Sequence, residues 1–450
     1  HGGSARFQSM GGAMGAMGAD VSAAQINPAA NGRFSSNVFS ISAGSNINGT
    51  KVNFMNMNTN TNATKFTIPS IHVVTVKDLS VRNKGDVYAQ SAFGYNRISN
   101  FNQNYAIIGE QYPSILESFM GQAYGIDPSN IYNAYPFSTA LAYETYALDY
   151  DYNTGEYYSY LNQGDVAMDR RYTKTGGVSE FYYNYSRNRL NKLYWGFSVN
   201  LRSYKYEQAY THTEMLTLTD ATPFRGFEYQ YKLKTSGTGL NVKGGFVYLA
   251  TPSLRFGASF ATPTFLNLKD TWSADATTFF ADSTKVVDPQ YKPEGTYKYR
   301  MTTPLRVTGS VSYQIGMRAT INADLDYVAY SGAKLKGTKD VMYSSYDFAS
   351  ENQTIKERMN HTVNLRIGAE YNIDQKFFVR AGFNMYGPAY KKSENIDATP
   401  DLGYSGGLGY KKNNISIDFA YVNRQINRTN FLFSGSNIAD TKLSANQVVF

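Results

Sequence analysis

Cysteine is absent from all 450 residues. That excludes disulfides, thiolate nucleophiles and thiolate metal ligands, and it suits a cell-envelope protein in which free thiols are a hazard. Long apolar runs are absent as well: no stretch of about 18 apolar residues occurs, so no membrane-spanning helix is expected. Histidine is scarce. His1, His72, His212 and His361 stand far apart, none with a neighbour at ligand spacing. Neither haem nor a metal is supported, and the expected cofactor list is empty. No nucleophile and base can be assembled into an outer-membrane phospholipase, so the chain is not expected to be an enzyme. Charge is sparse too, at 17% of residues. The net +8 contains no polybasic run. It reads as loop and lumen charge facing anionic lipid headgroups, and no nucleic-acid partner is expected.

Aromatic residues are what the chain has in excess: 39 Tyr and 27 Phe against 2 Trp. Aromatic girdles at two membrane interfaces use residues of this kind. The most informative segment is Met317–Asp326. Met317, Ala319, Ile321, Ala323 and Leu325 point one way, and Arg318, Thr320, Asn322, Asp324 and Asp326 the other. Strand side chains alternate faces, so one face is apolar and the other charged. Lipid outside and water inside demand this pattern, which predicts a transmembrane β-barrel. Trp195, Phe197, Val199 and Leu201 repeat it, as do Val363, Leu365, Ile367, Ala369 and Tyr371. Arg255, Arg306, Arg366, Glu370, Arg380 and Asp418 lie opposite such faces. A midplane Arg in lipid costs roughly 2–4 kcal/mol, so these groups should face the lumen.

Residues 1–33 differ from the rest, being rich in Gly, Ala and Met. Met10, Met14 and Met17 recur at helical spacing and predict one packed face. From Phe34 to Phe450 the alternation predicts about fourteen antiparallel strands, the first three over 34–46, 64–77 and 86–103. Short and long connections alternate, with tight turns on one side and long loops on the other. A long insertion at 104–176 carries expected helices at about 113–124 and 137–148. The chain opens on His1 with no leader, as though a secretory signal had been removed. Its short last strand ends at Phe450, as though it were cut before its natural end.

Several blocks carry a family resemblance. They are Ala5-Arg-Phe-Gln-Ser-Met-Gly-Gly-Ala13, Ala19-Asp-Val-Ser-Ala-Ala24, Asn27-Pro28-Ala29, Phe93-Gly94-Tyr95-Asn96-Arg97, Ala261-Thr-Pro-Thr264 and Thr303-Pro-Leu-Arg306. In order and spacing they resemble FadL-type outer-membrane channels for fatty acids and other hydrophobic molecules. The chain is most similar to the Bacteroidetes-type branch. The resemblance implies an all-β, 14-stranded barrel plugged by an N-terminal hatch at 1–33, in the outer membrane of a Gram-negative bacterium. It also implies lateral release at a kinked third strand, with Asn27, Pro28 and Ala29 as the hatch motif. Phe93, Gly94, Tyr95, Asn96 and Arg97 would sit at the kink, where glycine permits a bulge.

The residues themselves suggest binding sites. Met10, Met14, Met17 and Ile26 are candidate walls of a ligand pocket, since thioethers adapt to varied apolar shapes. The plainer alternative is that they pack the hatch onto the barrel. Ile115, Leu116, Phe119 and Met120 are candidates for an outer capture groove, or else for helix packing. Arg97 is placed to meet a carboxylate, or else a lumenal acid. Asp324 and Asp326 read as barrel-wall charges. Two functions follow. The first is a passive channel for long-chain fatty acids or similar hydrophobic molecules. The second is a structural subunit of a larger outer-membrane complex, with Tyr-rich loops as contact surface. A general porin is a weaker third.

Overall fold

The computed structural model describes residues 2–81, 85–111, 113–163, 166–217, 223–338, 346–394 and 399–450. Fourteen antiparallel strands close into a barrel. Strand 1 (Val38–Phe54) and strand 2 (Met57–Asp78) form a hairpin. Strand 3 is broken into Asp86–Asn100 and Gln103–Gln111. Strands 4, 5 and 6 are the long elements Val166–Arg189, Leu193–Leu216 and Phe224–Leu249. Strand 7 has segments Leu254–Ala261 and Phe265–Phe280, and strand 8 has Glu294–Thr302 and Arg306–Ile315. Strand 9 comprises Ala319–Ala329 and Lys334–Gly337. Strands 10 to 14 are His361–Asn372, Phe377–Tyr386, Asp401–Lys412, Ile415–Phe431 and Ile438–Val449. Strand 14 returns to strand 1, from Val449 opposite Gly44 to Asp440 opposite Asn53.

Alternation is the physical reason for this closure. Phe93, Phe256, Leu325 and Ile417 on the outer face are roughly half exposed or more, while Asn322, Asp324, Asp326 and Arg366 on the inner face are buried. An apolar outer belt with a polar interior identifies a membrane barrel. Inner charges are held in pairs. Arg366 lies 3.6 Å from both Asp324 and Asp326, and Arg380 meets Glu370 and Asp418 at 2.6 Å. The tight turns use residues able to adopt positive φ, among them Leu190 and Asn191, Gly316, Gln375 and Asn413.

Three boundaries differ from the sequence expectation. The hairpin of strands 1 and 2 runs through 47–63, which reads as a loop from its Asn and Thr content, and turns at Met55-Asn56, both at positive φ. Strands 4 to 7 continue well past the apolar belt. The insertion is therefore shorter than 104–176, because 103–111 and 166–176 are strand. It contains α2 (Ile115–Gln122), α3 (Pro128–Ala134) and α4 (Thr139–Glu144).

Candidate functional site

Residues 2–33 fill the lumen near the tight-turn end. Helix α1 (Ala5–Ser9) is capped by Ser4, and Gly11 and Gly12 at positive φ end it. The anticipated methionine helix therefore does not form. Met10, Met14 and Met17 instead cluster with Phe7, Ala23, Ile26 and Ala30, fully packed within the hatch and against the wall. They pack the plug rather than line a pocket. Asn27 caps the turn over Pro28–Arg33: its Oδ1 accepts from Ala29 N at 3.0 Å, and its Nδ2 donates to the carbonyls of Gly15 and Phe246 at 2.9 Å. Pro28 O and Ala29 face the inner wall, and Asn184 donates to Pro28 O at 3.1 Å.

Ties between hatch and barrel are polar and specific. Arg6 makes a bidentate pair with Glu370, both contacts 2.9 Å, and donates to Ala19 O at 2.8 Å. Ser259 donates to Ile26 O at 2.7 Å, and Gly15 N donates to Asp324. Wall glycines admit the hatch backbone. A Cβ on Gly368 would stand 2.5 Å from Met10 O, and one on Gly257 would stand 2.9 Å from Gly15 O.

Above the hatch lies a cavity of about 1040 Å³. Phe7, Gln25 and Ile26 form part of its floor. Of the proposed pocket-wall residues, only Ile26 reaches it; Phe7 was the signal missed. The walls mix polar and apolar groups in about equal measure, and their cations are mostly matched. Glu180 accepts from Lys243 and Arg202 at 3.0 Å. Asp401 accepts from Arg424 at 2.8 Å and Arg428 at 3.0 Å, and Arg306 lies 3.4 Å from Asp326. Arg97 and Lys174 are different. Arg97 donates to Gly176 O at 2.7 Å while its Nε is buried without a partner. The Lys174 ammonium rests over the Tyr105 and Tyr172 rings at 5.1 and 5.7 Å. Among the described residues no carboxylate stands against either. Arg97 is thus not part of a lumenal salt bridge there.

These two cations flank the interruption in strand 3. Strands 2 and 3 pair from Asp78 opposite Tyr88 to Ser70 opposite Asn96, and there the ladder stops. Strand 3 carries one extra residue between Arg97 and Ser99 against strand 4. Strand 2 shifts register around Pro69, which has no N–H to give. Gly176, at φ +111 on strand 4, takes a conformation that a side chain would strain. Beyond this point strand 3 steps inward. Residues 103–111 pair only with strand 4, with Lys174 opposite Gln103, and Tyr105 and Ile107 pack on Val52 and Phe54 inside strand 1. The edge of strand 2 from Met57 to Pro69 is left without a ladder on that side. Side chains bridge the seam instead. Thr61 donates to Asn104 O at 2.5 Å, Thr59 donates to Ala106 O, and Lys65 donates to Asn102 Oδ1 at 3.3 Å.

Gly94 is not the kink. It sits in regular pairing between His72 and Tyr182. A Cβ there would lie 2.5 Å from the Tyr182 ring, so its role is to make room. Around it, Phe93 faces outward against Tyr183 and Tyr95 bonds Ser179 at 3.0 Å. Asn96 accepts from Gln25 of the hatch at 2.8 Å.

At the long-loop end, Ile115, Leu116 and Phe119 are buried among Leu141, Leu148, Phe224 and Phe227, and Met120 packs beside them. They are the core of a helical cap, not an open groove. The helices present their apolar faces to the extended inner walls of strands 4 to 7. The cap is latched by buried charge. Glu214 accepts from Ser114 Oγ and, at 2.9 Å, from Ile115 N at the start of α2, and meets His212 at 2.8 Å. His212 in turn accepts from Arg170 at 3.0 Å. Replacing Glu214 with Ala removes the acceptor these buried donors share. Breaking such a pair costs about 3–5 kcal/mol. We expect faster hydrogen exchange across 115–148, with strands 10 to 13 unchanged.

The string Gly403-Tyr-Ser-Gly-Gly407 matches Gly-x-Ser-x-Gly in letters, but it runs within strand 12, and Ser405 donates to Ser9 O at 3.0 Å.

Solved structures share this architecture over the whole chain. A FadL homologue of Pseudomonas aeruginosa is 12% identical, with a TM-score of 0.56, covering 100% of this chain and 98% of that one. The Pseudomonas putida toluene transporter TodX is 13% identical, with a TM-score of 0.54, covering 100% and 97%. At such identity the likeness establishes a FadL-type barrel fold. No protein-family model matches the chain, and no curated protein matches it.

Proposed function

We propose that the protein is an outer-membrane channel for passive uptake of hydrophobic molecules that carry an acidic head, long-chain fatty acids foremost. Hatch movement opens the cavity floor, and release is lateral, through the seam between strands 2 and 3. The observation that carries this reading is the cavity's position. It meets the only stretch of strand 2 without a ladder on its strand-3 side among the described residues, beside two cations with no acidic partner. A pocket for a neutral hydrocarbon needs mainly apolar walls. Here Phe7, Ile26, Ile98 and Phe101 share the lining with many polar groups, which suits an amphiphile. The neighbouring structures, one of them a toluene transporter, support hydrophobic transport as the class.

A charged hydrogen bond contributes about 1.5–3 kcal/mol, or roughly ten- to hundredfold in affinity. Arg97→Glu and Lys174→Glu should each weaken binding of a fluorescent long-chain fatty acid by that order and leave its methyl ester unchanged. Titration of purified protein with both probes checks this. Equal effects on acid and ester would remove the head-group assignment.

A further inference from the structure

The tight-turn side of the hatch holds an exception to the pairing of inner charges. Arg33 ends the last hatch turn and is partly buried. Arg255 stands on the inner wall at the start of strand 7, just past the tight turn, and is 7% exposed. Of all charges, that of Arg255 bears most on Arg33, and the Tyr194 hydroxyl acts on both. Among the described residues no carboxylate pairs with either arginine. Arg33 donates to Met17 O, and Arg255 Nη2 donates to Gln314 Oε1 at 3.1 Å. By contrast, Arg366 and Arg380 each face two acids.

Unmatched polar atoms continue from Arg255 across the wall. Arg255 Nε has no partner among the described residues. Directly opposite on strand 8, Ser312 Oγ has none, and opposite Ser312 on strand 9, Asn322 Oδ1 has none. Asn322 Nδ2 is left with the thioether of Met17 at 3.4 Å, a weak acceptor. All three residues are more than nine-tenths buried.

Like charges held together away from water repel, and such burial is offset by an anion between them. We propose that Arg33 and Arg255 bind a soluble oxyanion, phosphate or carboxylate, entering from the tight-turn side. The bound anion ties the end of the hatch to strand 7. Each guanidinium edge offers paired N–H donors to two oxygens of such an anion. The Ser312 hydroxyl adds a donor, and the Asn322 amide, turned over, adds another in exchange for its sulfur contact. The cargo is not the occupant, because neither arginine lines the cavity, which lies on the other side of the hatch. The inference goes beyond the transport reading and holds whatever molecule is carried.

The test uses the full chain in detergent, with hydrogen exchange read at Gly18, Ala19 and Phe34. Their amides close the hatch turns around Arg33, donating to Met14 O, Ala30 O and Asn31 O at 3.4, 3.4 and 3.1 Å. Inorganic phosphate well above its Kd should slow these amides several-fold relative to chloride at equal ionic strength. Arg255→Gln should remove that difference. Exchange across Ala5–Ser9, tied to the wall by Arg6 and Glu370, should stay as in the wild type. Arg33→Gln should likewise remove the difference, and it carries the test if Arg255→Gln loosens the wall. No slowing in the wild type, equal slowing by chloride, or slowing that survives both variants would overturn the site. Slowing by a long-chain fatty acid with phosphate inactive would also overturn it, since these arginines would then serve the cargo.

Discussion

Deleting residues 2–33 should turn a closed barrel into an open pore. In planar bilayers the conductance should rise about tenfold or more over the wild type, towards that of a porin whose lumen is filled with water. The barrel should survive the deletion, because its inner charges are paired with one another and not only with the plug. Removing Arg6 leaves Glu370 held by Arg380 at 2.6 Å, and removing Gly15 leaves Asp324 facing Arg366. Water then fills the space the hatch occupied. A gentler variant tests the same idea with the hatch still present. Gly368→Leu puts a side chain where Met10 O now lies, and an added Cβ there is already 2.5 Å from that oxygen. The hatch cannot seat against such a wall, so the variant should show intermittent large openings. A deletion that stays closed would mean that the helical cap, not the hatch, seals the lumen.

Locking the seam should have the opposite effect. Strand 3 leaves the wall at Arg97 to Asn102, and beyond that point side chains rather than a backbone ladder join it to strand 2. An unladdered strand edge beside lipid is costly, since neither N–H nor C=O finds water there. Phe66 and Ile68, both exposed, stand on strand 2 beside this gap. Among the described residues the contacts that close it are few, and Thr59, Thr61 and Lys65 supply them. A seam of this kind opens at lower cost than a continuous ladder, whose backbone bonds must break together. Because the chain has no cysteine, Thr61→Cys with Asn104→Cys introduces one unambiguous pair.

Much of the barrel was legible in the sequence. Period-2 alternation works where lipid faces water across one sheet, so the belt segments and their tight turns could be located from Trp195–Leu201 or Val363–Tyr371 alone. Above the belt the contrast disappears. Tyr210, His212 and Glu214 on one face and Thr211 and Thr213 on the other are all polar enough to face water, so the extensions of strands 4 to 7 left no period to read. Helix α3 carried a usable signal in Asp127-Pro128, an N-cap followed by proline in the first turn. The spacing of Met10, Met14 and Met17 suggested a helix, but Gly11 and Gly12 between them adopt positive φ. The lateral seam had no local signature. It arises where a proline on strand 2, an extra residue on strand 3 and Gly176 on strand 4 meet in register, three positions far apart in the chain. Arg97 was singled out for its charge, but only the folded wall shows which cations lack an acid: Lys243, Arg202 and Arg424 look no different in sequence and are matched in space.

The decisive measurement is uptake of a labelled long-chain fatty acid by cells carrying the Thr61→Cys, Asn104→Cys protein, first oxidised and then reduced. Lateral release predicts that oxidation abolishes uptake and that reduction restores it to the wild-type rate. Uptake by the oxidised, fully cross-linked protein at the wild-type rate would contradict the account, and would turn attention to the helical cap and Tyr-rich loops as surfaces for partner subunits.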